Sequence, residues 1–159
     1  MPKRICILGS TGSIGASALS VIGSMPDELA VHSLAGRRDW QTLARQARTH
    51  RPAVVAMSEP GPAERLAGEL ADTNTRVLSG PESLAELAAD PEAEIVVCAV
   101  VGAAGLPAAL AAARAGKTLA LANKEALVVG GELVMAAVRE SNATLLPIDS
   151  EHSAVFQSL

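Results

Sequence analysis

Aromatic residues are nearly missing from this chain, which holds one Trp, one Phe and no Tyr in 159 residues. Their absence removes the platforms on which single-stranded nucleic acids stack. An excess of positive charge is missing too: 13 Lys and Arg face 17 Asp and Glu, for a formal net charge of -4. With no long basic run, neither a nucleic-acid backbone nor an anionic membrane surface is an expected partner. Cysteine is scarce. Cys6 and Cys98 both fall inside apolar strand patterns, where they read as small core residues rather than a disulfide framework, and a reducing compartment fits. Long unbroken apolar runs are absent. The most apolar stretch, around 95–113, contains Gly and Pro and stops at Arg114, which does not make a membrane span. Met1-Pro2-Lys3-Arg4 enters a five-residue strand pattern and then glycines, too short for the apolar region of a signal peptide. A soluble, cytoplasmic protein is expected.

The chain does have an aliphatic core. Hydrophobic residues make up 49% of it, so Ala, Val, Leu and Ile must do the packing, as suits thin helices on a parallel sheet. Strand and helix patterns alternate throughout. Strands are predicted at 4–8, 30–35, 53–57, 76–78, 94–101, 118–121 and 144–146. Helices are predicted at 13–24, 40–49, 60–71, 81–89, 106–115 and 125–140. Asp39 is the expected N-cap of the second helix, and Gly116 the C-terminal stop of the fifth. Gly130-Gly131 inside the last helix predicts a kink or a close backbone approach. The fold class is α/β: a Rossmann-like, doubly wound, mostly parallel sheet with helices on both faces. Residues 1–147 read as one domain. Residues 148–159 start another helix pattern with no closing cap, and the chain is expected to stop where a second domain begins.

The sharpest motif opens the chain. The apolar run Ile5-Cys6-Ile7-Leu8 leads into Gly9-Ser10-Thr11-Gly12-Ser13-Ile14-Gly15 and then a helix pattern. Glycines at this G-x-x-G-x-x-G spacing let the backbone turn tightly and approach a ligand. The N–H groups of the following helix would then face a pyrophosphate. The competing reading is a turn that merely joins strand to helix. At the end of the second strand, where an NAD-type site places an acidic residue for the ribose, the chain has Gly36-Arg37-Arg38. Two guanidiniums there suit a 2′-phosphate and favour NADP(H), unless they are simply solvated loop charges.

Two further clusters follow strand patterns. In Asn123-Lys124-Glu125, Asn123 and Glu125 are explained by a helix start. Lys124 is not, and looks placed for an anionic or carbonyl-bearing ligand. In Asp149-Ser150-Glu151-His152, the two carboxylates suit a hard divalent cation such as Mg²⁺ or Mn²⁺, and equally suit a helix cap. His152 fits a ligand, a proton carrier or a surface residue.

Taken together, Leu8–Gly15, Val101-Gly102-Ala103-Ala104-Gly105-Leu106, Leu121–Glu125 and Pro147–His152 resemble the 1-deoxy-D-xylulose 5-phosphate reductoisomerase family, with the motifs in family order and spacing. The resemblance covers residues 4–159 but only the N-terminal part of such an enzyme. It implies an NADPH- and divalent-metal-dependent enzyme of non-mevalonate isoprenoid synthesis, which rearranges 1-deoxy-D-xylulose 5-phosphate and reduces the product to 2-C-methyl-D-erythritol 4-phosphate. By position, it implies that Thr11, Gly12, Ser13 and Ile14 touch the NADPH pyrophosphate and that Gly36, Arg37 and Arg38 hold the adenosine end. Asn123 and Glu125 would line the cofactor and Lys124 would bind substrate. Asp149 and Glu151 would ligate the metal, with Ser150 and Glu151 contacting substrate; this tips the acidic cluster towards metal. It also implies a homodimer when full length, and a second domain carrying the rest of the catalytic site, without which the chain is expected not to turn over. Two rival readings remain: another NADP-dependent oxidoreductase, and a stand-alone NADPH-sensing module.

Overall fold

The computed structural model describes residues 1–122 and 124–148. Among these residues seven strands form one sheet: β1 (Lys3–Leu8), β2 (Leu29–Gly36), β3 (Val54–Met57), β4 (Arg76–Ser79), β5 (Ile95–Cys98), β6 (Thr118–Leu121) and β7 (Thr144–Pro147). The order across it is β4-β3-β2-β1-β5-β6-β7, and each neighbouring pair is parallel. The expected doubly wound architecture is therefore present, with a fully parallel sheet. Among the described residues six α-helices connect the strands: α1 (Ser13–Ser24), α2 (Trp40–His50), α3 (Pro60–Glu69), α4 (Glu82–Ala89), α5 (Leu106–Arg114) and α6 (Lys124–Ser141).

Alternation along the strands creates two cores. Ile5 and Ile7 of β1 face α1, α2 and α3 through Leu19, Ile22, Leu43, Ala47, Ala63 and Leu66. Cys6 and Leu8 face α4, α5 and α6 through Leu84, Leu87, Ala108, Ala112 and Ala126. Successive β residues point to opposite faces, so a central strand buried on both sides is apolar throughout. The scarcity of aromatics is visible in α5. Its buried residues are Ala108, Ala109, Ala112 and Ala113, which let the helix lie close to the sheet.

Local chemistry sets the helix ends. The Asp39 carboxylate accepts the Thr42 N–H at 3.0 Å, capping α2 as the sequence predicts. The Thr42 side chain, followed by this backbone bond, holds the Asp39 carboxyl below the usual range. Gly116 (φ +71°) follows α5 in the left-handed region, where glycine carries no Cβ penalty. Gly130 leaves helical geometry at φ -133° and ψ 24°, kinking α6. A Cβ there would lie 2.6 Å from Leu106 Cδ1, so both features expected of the glycine pair occur together.

One expectation needs correction. The strand predicted over 94–101 ends at Cys98. Its neighbours end opposite it, with Leu8 and Leu121 both in register with Cys98. No ladder remains for the apolar residues beyond to join. The chain swings outward, leaving Val101 88% exposed, and turns at Gly102 with φ +78°. The helix expected after residue 147, and the domain division there, fall outside the described residues.

The opposite, N-terminal edge of the sheet carries a polar pin. The β1–β2 register shifts between Ile5 and Cys6, so His32 is the extra residue of a bulge. Its Nε2 lies 3.1 Å from Asp90 Oδ2. The Lys117 ammonium donates to the carbonyls of Asp90 and Ala93, tying the turns before β5 and β6 together.

Candidate functional site

In a parallel sheet, ligands gather where successive connections depart to opposite sides. That point lies between β1 and β5: the chain runs from β1 outward to β2, β3 and β4, then returns to β5 on β1's other side. The glycine turn after β1 sits at this crevice. Gly9 has φ +84°, and a Cβ on it would lie 2.5 Å from the Ala99 carbonyl oxygen, so only glycine lets the two loops approach. A Cβ on Gly15 would lie 2.4 Å from the Gly9 oxygen. A Cβ on Gly12 would meet one atom, the Gly9 oxygen at 3.6 Å, which leaves this glycine open to a ligand.

The helix that follows is prepared for an anion. The N-cap Gly12 gives α1 no side-chain bond, and its first turn holds no acidic residue. Ser13, Ile14 and Gly15 begin the helix, so their N–H groups have no earlier turn to donate to. The positive end of the helix dipole is left for a ligand.

Two residues that sequence reasoning missed shape this turn and its neighbour. Gln46 of α2 clamps the turn from below: Ser10 Oγ donates to Gln46 Oε1 at 2.8 Å, and Gln46 Nε2 donates back to the Ser10 carbonyl at 2.9 Å. The Gly9 and Ser10 N–H groups both donate to the Ala35 carbonyl at 2.9 Å, which ties the turn to β2. The second missed residue is Glu59, at the N-cap of α3. Its Oε1 accepts from Arg37 Nε at 3.0 Å and Arg38 Nε at 2.7 Å. The two guanidiniums, first the Arg38 one, hold the Glu59 carboxyl below its ordinary range. Gln46 had a signal in the sequence, as a polar residue within the apolar stripe of Leu43, Ala44 and Ala47. Glu59 had none, because its partners lie about twenty positions away in the chain.

The structure brings Thr11 against Gly36: a Cβ on Gly36 would lie 3.4 Å from Thr11 Cγ2. The turn after β1 and the arginine pair after β2 therefore adjoin. Gly12, Ser13, Ile14, Arg37 and Arg38 are exposed. Lys124 and Glu125 open α6 directly after β6, at the same C-terminal edge, and are also exposed. Asn123, Asp149, Ser150, Glu151 and His152 lie outside the described residues. Among the described residues no group of three or more His, Cys, Asp or Glu could hold a metal ion, and no helix is long and apolar enough to cross a membrane. The thiols take no part in the crevice. Burial pushes Cys6 up to about 12 and Cys98 up to about 11, so both stay protonated and unreactive at neutral pH.

A family model for 1-deoxy-D-xylulose 5-phosphate reductoisomerase matches residues 5–131. The chain belongs to the 1-deoxy-D-xylulose 5-phosphate reductoisomerase family. It is 50% identical over 160 residues to the reductoisomerase of Pseudomonas paraeruginosa, which covers 99% of this chain and 40% of that protein. Among solved structures, the Zymomonas mobilis reductoisomerase in complex with NADPH superposes with a TM-score of 0.92 and 41% identity, over 100% of this chain and 42% of that one. A reductoisomerase in complex with magnesium gives 0.93 and 42% identity, over 100% and 40% respectively. The chain thus spans about two fifths of the length of the reductoisomerases it matches.

Proposed function

We propose that this chain is the NADPH-binding portion of a 1-deoxy-D-xylulose 5-phosphate reductoisomerase. The observation that carries the reading is the approach of the Thr11 side chain to Gly36, near enough that a Cβ at Gly36 would touch it. It joins an uncapped, glycine-led helix start to an arginine pair at one crevice. A pyrophosphate fits the first element and a 2′-phosphate the second. The solved relative holding NADPH supports the same cofactor here.

In this reading, backbone and side-chain groups of Thr11, Gly12, Ser13 and Ile14 hold the pyrophosphate. Gly36 lets the adenosine end approach, and Arg37 and Arg38 pair with its phosphate. Asn123 and Glu125 line the cofactor further along. Lys124 holds the substrate, 1-deoxy-D-xylulose 5-phosphate, through its ammonium group. Ser150 hydrogen-bonds the substrate, and Glu151 faces it while joining Asp149 as a metal ligand. The support for a metal is the donor set, two carboxylates suited to Mg²⁺ or Mn²⁺, together with the relative solved with magnesium. Bound there, the cation would supply Lewis acidity towards a hydroxy-ketone. The same reading makes the full-length protein a cytoplasmic homodimer.

The test uses the longest reading frame that contains this sequence. NADPH oxidation is followed with 1-deoxy-D-xylulose 5-phosphate, with Mg²⁺ or with chelator, beside Asp149→Asn and Arg37→Ala. The expected result is metal-dependent oxidation that Asp149→Asn abolishes, and an Arg37→Ala variant that weakens for NADPH far more than for NADH. Tight NADPH binding with no oxidation would sink the reductoisomerase reading and leave a cofactor module.

A further inference from the structure

Arg37 and Arg38 begin the loop after β2, and Glu59 caps the start of α3 after β3. These strands are neighbours in register, Gly36 opposite Met57, so the two loops lie side by side. One carboxylate oxygen of Glu59 accepts from the Nε of both arginines. The carboxylate makes no cap bond to its own helix, although it occupies the N-cap position. We propose that Glu59 is a resident competitor for the 2′-phosphate: it gathers the two guanidiniums when no cofactor is bound and yields them to a 2′-phosphorylated adenosine. The proposal rests on the cofactor reading above and adds to it a residue that sets affinity and selectivity.

Three observations decide the direction of the effect. Both guanidiniums converge on a single oxygen, so their spacing is one that a single oxyanion can bridge. The arginines are 71% and 68% exposed, and exposed pairs of this kind are weak and screened, so the carboxylate is easily displaced. A phosphate carries more charge than a carboxylate and offers three acceptor oxygens, so it outbids Glu59. Once displaced, the Glu59 carboxylate remains beside the phosphate as a like charge. A carboxylic acid ionises well below neutral pH, so the displaced group keeps its charge.

The test measures binding of 2′,5′-ADP, 5′-ADP, NADPH and NADH to the full-length protein by calorimetry at low and high salt. Glu59→Gln is expected to tighten 2′,5′-ADP and NADPH about threefold to fivefold, the scale of one exposed ion pair. Affinities for 5′-ADP and NADH should stay put, and the gain should shrink at high salt. Glu59→Ser is the second variant. It removes the same charge and gives α3 a favoured capping residue, so it keeps the test open if the glutamine variant is unstable. Unchanged or weaker 2′,5′-ADP binding in both variants would overturn the proposal while wild type still prefers NADPH. A wild-type protein that does not distinguish 2′,5′-ADP from 5′-ADP would instead sink the cofactor reading beneath it.

Discussion

At the scale of single residues, the shape of the glycine turn depends on side chains that lie outside it. Gln46 is the clearest. It satisfies the fully buried Ser10 hydroxyl and also donates to the Ser10 carbonyl, holding the glycine turn in shape from behind. In a Gln46→Leu variant the Ser10 hydroxyl would keep only the long 3.4 Å bond to the Ala35 carbonyl. A poorly satisfied buried polar group costs about 1–3 kcal/mol. The expected outcome is a folded protein with a lower urea midpoint and about tenfold weaker NADPH binding, one step of about 1.4 kcal/mol. Unchanged NADPH affinity would show that the turn keeps its shape without the clamp.

At the scale of elements, the three glycines of the first turn have different tasks, and substitution separates them. A Cβ on Gly15 would meet backbone atoms of Gly9 and Ser10 at 2.4 and 2.5 Å, so the turn must move. Gly15→Ala is expected to lower stability by about 1–3 kcal/mol, as overpacking does. Gly12→Ala meets ordinary contact distances, and is expected to keep its melting temperature while losing cofactor affinity. Thermal melts beside NADPH titrations check both. The same elements show how much the sequence disclosed. Strand and helix periods located every α-helix and strand among the described residues, because each apolar run is bounded by Gly, Pro or a capping residue. The Asp39 cap and the Gly130 kink were legible because they depend on local chemistry. The end of β5 was not, because it is decided by where β1 and β6 stop. The Glu59 pairing was hidden for the same reason, being created only when β2 and β3 lie side by side.

At the scale of the whole molecule, the two edges of the sheet divide their labour. The C-terminal edge is open and carries the candidate site, while the N-terminal edge is pinned by His32, Asp90 and Lys117. Burial alone would raise the Asp90 carboxyl. The Glu92 backbone N–H at 2.9 Å, His32 and Lys117 outweigh it and bring the group below its ordinary range. A carboxyl lowered in the folded state contributes stability above its unfolded value, about 3.9, and loses it as pH falls through the folded value. Urea midpoints are therefore expected to fall more steeply below about pH 4 in wild type than in Asp90→Asn. Equal slopes would remove Asp90 from the acid response. A last consequence follows from the start of α2. With no Tyr and one Trp in the chain, near-ultraviolet emission comes from a single indole, Trp40, whose N–H on the backbone donates to the Arg38 carbonyl at 2.8 Å. Indole emission overlaps the absorption of a reduced nicotinamide ring. The chain thus carries one intrinsic optical donor beside the arginine pair, and energy transfer from it can register a reduced cofactor without any label.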